Sequence, residues 1–141
     1  MVWESYNLDR EAQELVLKYR DKEVLNESHK MRVTVAYGLE RFWGEHLRLM
    51  RKEDTREAGK YWKDTWTIFA KIMQRAGVDI PAEDVTNKDT AAIKAMASKL
   101  WDRENFPIED QRIALAVLTQ LCDSLIWWTQ RYKKTSKKGE S

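Results

Sequence analysis

The chain has 141 residues, of which 43% are hydrophobic and 34% are charged, and its formal net charge is +2. It can therefore bury a core without disulfides or metals, and its five Gly and two Pro argue against a fold of strands and tight turns. It contains no uncharged apolar run of about 18 residues and does not begin like a signal peptide, so we expect neither a membrane-spanning nor a secreted protein.

The first half of the chain shows apolar residues at helical spacing. An irregular segment, residues 1–7, precedes a first helix that is capped at its start and fades near Val24. A second helix is predicted from Ser28 to about Lys52. It contains Gly38 and Gly44, which indicate close packing or a bend at one of them.

The second half of the chain predicts three more helices. A third helix begins at Asp54 or Thr55 and ends at Gly77, and residues 78–88 form the longest connection. A fourth helix follows Asp89 and ends near Asp102, with Met96, Leu100 and Trp101 among its inward-facing residues.

The last and longest helix, Pro107–Tyr132, has no Gly and carries the most continuous apolar stripe, so we expect the other helices to cover it. Cys122 lies beside this stripe and is expected to be a buried thiol in a reducing cytoplasm. We therefore predict an all-α, single-domain bundle of about five helices over residues 1–134, followed by a basic disordered tail over residues 135–141.

Positive charge is concentrated at the end of the chain. From Arg131 onward the residues sum to +4, whereas residues 1–130 sum to −2. Such a cluster is either a solvated terminus or an electrostatic arm toward a polyanion.

Basic residues also surround the junction of the second and third predicted helices, with Tyr61, Trp62 and Trp66 nearby. Lys and Arg in such a patch can hold a phosphate backbone, although interspersed acidic residues equally suit a solvated, ion-paired surface. The candidate backbone contacts from both regions are Arg48, Arg51, Arg56, Lys60, Arg131 and Lys134.

No cofactor motif or metal-ligand spacing is present, so no cofactor is expected. Arg41 and His46, separated by four residues, resemble the Arg-x4–6-His motif of HEPN domains, which include metal-independent ribonucleases. That resemblance implies that Arg41 would stabilise phosphate charge while His46 handles a proton. The alternative is that His46, which lies on an apolar stripe, is a core histidine.

A second resemblance concerns the final helix. Its segment 118–132 is similar to the closing helix of the small helical subunit of type III CRISPR effector complexes, and residues 38–52 are more loosely similar to an earlier helix of that subunit. The matching positions are Thr119, Leu125, Ile126, Trp128, Arg131 and Tyr132.

That resemblance implies a non-catalytic structural subunit of an RNA-guided antiviral complex. Such a subunit stacks head to tail, contacts the other subunits and steadies the RNA backbone through Lys and Arg. The alternatives are the HEPN-like ribonuclease and a helical adaptor or inhibitor that binds only proteins, with exposed aromatic residues as its anchors.

Overall fold

The structure is a computed structural model that describes residues 2–86 and 88–134, with the side chains from residue 7 onward. The predicted basic tail, residues 135–141, lies outside these residues. The regular secondary structure of the described chain is all helical, with no strand, so the all-α prediction is confirmed. Its α-helices are α1 (Val2–Tyr19), α2 (Glu27–Val35), α3 (Leu39–Met50), α4 (Arg56–Arg75), α5 (Thr90–Trp101) and α6 (Ile108–Tyr132).

The predicted second helix is two helices, and this raises the count from five to six. The chain leaves α2 after Val35 and turns at Gly38, whose φ of +104° lies in a region that side-chain-bearing residues rarely adopt. The Gly38 carbonyl then accepts the Phe42 amide at 3.2 Å and starts α3. The periodic apolar pattern continues across the break, so spacing alone did not reveal it. The bend that the sequence indicated at Gly38 or Gly44 is at Gly38.

Helix α1 also differs from the prediction at both ends. It begins at Val2, so the expectation of an irregular segment is wrong for residues 2–7; no Gly or Pro precedes Leu8 to stop the helix. It ends at Tyr19, where a 3-10 turn and Glu23 in the left-handed conformation redirect the chain. Leu8, Ala12, Leu15 and Tyr19, which recur at helical spacing, are buried.

The connection between α4 and α5 turns back along α4. Gly77, with φ of +85°, ends α4, and the following segment places the Pro81 carbonyl 2.8 Å from the Trp66 indole nitrogen, which donates to it. Ile80 and Val85 of this connection are buried in the core. The side chain of Asp89 then accepts the Ala92 amide at 2.9 Å and caps α5, as predicted.

Helix α5 corrects one expectation about the core. Met96 and Leu100 are buried, but Trp101, predicted to face inward, is 67% exposed. Successive residues of a helix are rotated by about 100°, so Leu100 occupies the core-facing position and Trp101 lies beside it, outside the core.

The core itself lies around α6, as expected. Leu118, Leu121 and Leu125 have no exposed surface, and α6 packs mainly against α1 and α2. The Cys122 thiol is fully buried, and burial raises its pKa above the ordinary thiol value.

Helices α3 and α4 form the other close pair, and Gly59 permits their approach. A Cβ atom added to Gly59 would lie 2.9 Å from the Met50 amide nitrogen and 3.1 Å from the Leu49 Cβ. A methyl group does not fit there, so the corner between α3 and α4 depends on this glycine.

Candidate nucleic-acid interface

Four of the predicted cations lie at the corner between α3 and α4. Arg48 and Arg51 are at the end of α3, Arg56 and Lys60 are in the first turns of α4, and all four are exposed. The interspersed acids neutralise two of them, because Arg48 pairs with Glu45 at 2.6 Å and Lys60 with Glu57 at 3.6 Å. Among the described residues neither Arg51 nor Arg56 has an ion-pair partner.

The other two predicted cations lie at the end of α6. The Arg131 guanidinium sits 3.7 Å from the ring centroid of Trp127, which is 47% exposed, and the Lys134 ammonium is 2.5 Å from Asp21. The hydrogen bond from Lys134 is the main reason that the pKa of Asp21 is lowered.

A buried hydroxyl cluster brings these two regions to the same end of the bundle. Ser28 Oγ lies 2.6 Å from the Tyr61 hydroxyl and 2.8 Å from Thr129 Oγ1, and all three residues are buried. The Tyr61 ring also packs 5.0 Å from that of Tyr19. The ends of α1 and α6 therefore meet the starts of α2 and α4, and the end of α3 joins them through the short turn that precedes α4.

We define this region, residues 18–30, 48–60 and 131–134, as the basic end. Its segments carry twelve Lys and Arg residues against six Asp and Glu residues. The rest of residues 2–134 has the opposite balance, with eleven basic and sixteen acidic residues. A concentration of positive charge on one end of a nearly neutral protein is the electrostatic pattern of a polyanion-binding surface.

Hydrogen bonds hold the backbone of the basic end in place. The Tyr19 hydroxyl donates to Asp64 at 2.5 Å, and Lys18 contacts the same carboxylate at 2.7 Å. Burial, followed by the bond to Asp64, raises the pKa of Tyr19 above its ordinary value. The Arg20 Nε atom donates to the Tyr132 carbonyl at 2.7 Å and ties the end of α1 to the end of α6. These bonds link α1, α4 and α6 beside the cations of the basic end.

The aromatic residues predicted to accompany the cations are not available to a ligand. Tyr61, Trp62 and Trp66 are at most 3% exposed and belong to the core, because the face of α4 that carries them packs inward. Burial raises the pKa of Tyr61 to about 12. Trp127 is the exposed aromatic residue near this end. It lies on the outer face of α6, because Leu125 and Trp128 occupy the face that packs against the core.

The structure does not bring Arg41 and His46 to a shared surface. His46 is buried, with its Nδ1 2.5 Å from the Trp43 carbonyl oxygen, as the core-histidine alternative expects. Burial is the main reason that its pKa is lowered. The exposed Arg41 instead lies over the ring of Tyr37 at 5.8 Å, and five helical positions separate the two side chains by about 140° around α3.

Some cations of the basic end were not predicted from the sequence. Arg20, Lys22 and Lys30 lie outside both basic clusters that the sequence shows, and only the packing of the helices brings them beside those clusters. No spacing rule within a single helix could have identified them.

Over residues 2–86 and 88–134, no helix is long and apolar enough to cross a membrane. In the same described part of the chain, no group of three His, Cys, Asp or Glu side chains is placed to hold a metal ion. Comparison with protein-family models, with curated proteins and with solved structures found no match.

Proposed function

We propose that this protein is a non-catalytic structural component of a ribonucleoprotein complex and holds the sugar–phosphate backbone of RNA at its basic end. The observation that carries the proposal is the convergence of four helix ends on the Ser28–Tyr61–Thr129 cluster. This convergence gathers all six cations that the sequence singled out, although they come from distant segments.

The chemistry of the basic end suits phosphate rather than bases. Arg51 and Arg56 are exposed, lack ion-pair partners among the described residues, and so carry guanidinium groups available to an external anion. With Tyr61, Trp62 and Trp66 buried, charged side chains dominate this end, and Trp127 beside Arg131 is its exposed surface for base stacking. Binding should therefore be insensitive to sequence and should release counterions.

The resemblance of segment 118–132 to the small subunit of type III CRISPR effectors indicates the class of ribonucleoprotein complex to which we assign the protein. Within such a complex the protein would contact neighbouring subunits and a guide RNA, in the antiviral defence of a cell. The proposal places it in the cytoplasm, where the buried thiol of Cys122 would stay reduced.

The backbone-binding part of the proposal is tested by fluorescence anisotropy with labelled single-stranded RNA over a series of salt concentrations. The expected affinity falls steeply with salt, by about 0.7 logarithmic units per phosphate contact for each tenfold increase. The double variant Arg51→Glu with Arg56→Glu is expected to bind at least about tenfold more weakly and with a shallower salt dependence.

The matched control is Lys71→Glu with Lys94→Glu, which changes the net charge equally but alters exposed residues outside the basic end. The control should retain more affinity than the Arg51/Arg56 variant. Equal losses in both variants, or no binding by the unaltered protein at low salt, would contradict the role of the basic end.

The complex-forming part is tested by recovering tagged protein from its native cells and sequencing the RNA that accompanies it. The expected RNA contains repeat-derived guides, and RNase treatment or the Arg51/Arg56 variant should reduce its recovery. Recovery of protein partners without RNA would favour the adaptor alternative instead.

A further inference from the structure

A surface groove of about 400 Å³ lies where the bend between α2 and α3 meets the end of α5 and the start of α6. The ends of α3 and α6 belong to the basic end, so their starts, which line this groove, lie at the opposite end of the bundle. The volume falls within the roughly 300–1,000 Å³ of typical small-ligand sites.

Two aromatic side chains stand at this groove with most of their surface in solvent. Tyr37 is 65% exposed and Trp101 is 67% exposed, whereas Leu39 and Leu100 beneath them are buried. Exposed aromatic rings above an apolar floor offer flat surfaces on which another planar group can stack.

The groove also carries positive charge that the protein leaves unpaired. Arg41 and Arg112 line it, and neither forms an ion pair with another described residue. The Arg41 guanidinium lies 5.8 Å from the Tyr37 ring centroid, and Glu40 is the single acidic residue among those lining the groove. Stacking surfaces and available guanidinium groups thus occur side by side.

We infer that this groove binds an unpaired nucleotide of single-stranded nucleic acid, with the base against both Tyr37 and Trp101 and the phosphate near Arg41 and Arg112. The inference rests on the proposed function, because it adds a base-dependent contact to the backbone contact at the basic end. A purely apolar peptide fits less well, since it would cover two guanidinium groups without supplying anions for them. A nucleotide supplies both a π face and a negative charge.

The test compares a single-stranded RNA with an abasic strand of equal length, which has the same phosphates but no bases. At fixed salt, Trp101→Ala and Tyr37→Ala should each weaken binding of the RNA by about tenfold and leave binding of the abasic strand unchanged. Ile113→Ala is the control, because this residue is 50% exposed on α6 but does not line the groove, and it should change neither affinity.

Failure of this inference is distinguishable from failure of the proposed function. If only the Arg51/Arg56 variant weakens binding, the basic end holds the backbone and the groove inference is overturned. If Trp101→Ala weakens both strands equally, the groove does not contact bases and the inference is again overturned. If Trp101→Ala weakens only the base-containing strand while the Arg51/Arg56 variant has no effect, the groove inference stands without the basic end.

Folding of the variants is checked by circular dichroism and thermal unfolding. Tyr37 and Trp101 are about two-thirds exposed, so their truncation removes little core packing and Tm should change little. The indole NMR signal of Trp101, assigned from a Trp101→Phe variant, should also shift on addition of the single-stranded RNA. No shift at concentrations that saturate RNA binding would overturn the inference.

Discussion

His46 is an ionisable residue held in an apolar position. Its ring packs edge-on against Trp43 at 5.8 Å, and its Nδ1 lies 2.5 Å from the Trp43 carbonyl oxygen. Burial lowers its pKa below the ordinary value of 6.5, so the unfolded chain takes up a proton at this residue before the folded protein does. The stabilisation from neutral His46 is therefore complete above about pH 6.5 and is lost as the pH falls through the lower folded-state pKa.

We expect the free energy of unfolding to decrease between pH 7 and pH 5, and to decrease less in His46→Phe. Urea denaturation of both proteins at each pH measures the difference. His29→Gln, which replaces an exposed histidine, should keep the pH dependence of the unaltered protein. The same pH dependence in His46→Phe would show that other groups cause it.

Gly44 and Gly59 differ in the space that surrounds them. Both lie inside helices, but a Cβ atom at Gly44 meets open space, whereas one at Gly59 meets the Met50 backbone. Gly44→Ala should raise the free energy of unfolding by about 1 kcal/mol through helix propensity. Gly59→Ala gains the same propensity but incurs about 1–3 kcal/mol of overpacking, so its net effect should be destabilising.

Thermal unfolding measures both substitutions, and the expected result is a higher Tm for Gly44→Ala and a lower Tm for Gly59→Ala. A Tm that rises equally in the two variants would show that α3 can move away from α4. Neither outcome depends on any ligand.

At the scale of the helices, the Ser28–Tyr61–Thr129 cluster holds α2, α4 and α6 together. Thr129→Val keeps the shape of the side chain but removes a buried hydroxyl, and it should cost about 1–3 kcal/mol because Ser28 loses a buried partner. Thr67→Val, where the hydroxyl is exposed and bonds only within its own helix, should change stability by less than about 0.5 kcal/mol. The urea midpoint at unchanged m-value measures both, and equal midpoints would contradict a structural role for the cluster.

Helix propensity and apolar spacing were sufficient to predict most of the helices. The stripe of α6, the buried Cys122 and the cap at Asp89 all follow from local sequence rules, and the structure contains each of them. The break at Gly38 and the exposure of Trp101 were missed because spacing continues through a bend and does not distinguish a core residue from its neighbour.

The candidate interface was predictable only in part, for the same reason. Clusters within one segment, such as Arg48 to Lys60, are visible in the sequence, but their convergence with Arg131 depends on contacts between helices that are far apart in the chain. Tyr61, Trp62 and Trp66, which lie near these cations in the sequence, are buried because the apolar face of α4 packs inward.

At the scale of the whole molecule, the excess of basic residues at one end and of acidic residues elsewhere makes the protein electrostatically asymmetric. We expect such a distribution to favour contact between the basic end of one copy and the acidic remainder of another, as in the head-to-tail association that the resemblance implies. The distance over which the charges of two copies attract each other depends on salt, because the Debye length shrinks from about 30 Å at 0.01 M to about 8 Å at 0.15 M.

Sedimentation velocity should therefore show concentration-dependent association at low ionic strength that added salt reverses. The Arg51/Arg56 double variant should associate less. Lys71→Glu with Lys94→Glu, which makes the acidic remainder more acidic, should associate as strongly as the unaltered protein or more so. Association that persists in high salt would indicate an apolar contact between copies instead.

The pairing of α1 with α6 joins the first and last helices of the described chain. Gln13 donates to the Tyr132 hydroxyl and Trp128 donates to Asp9, across 119 positions in each case. During synthesis the part of the apolar face of α1 that α6 covers stays exposed until α6 has left the ribosome, and the intervening helices can form only partial structures before then. Completion of this bundle thus requires α6, and a product that stops short of α6 would expose its unfinished core to chaperones and proteases.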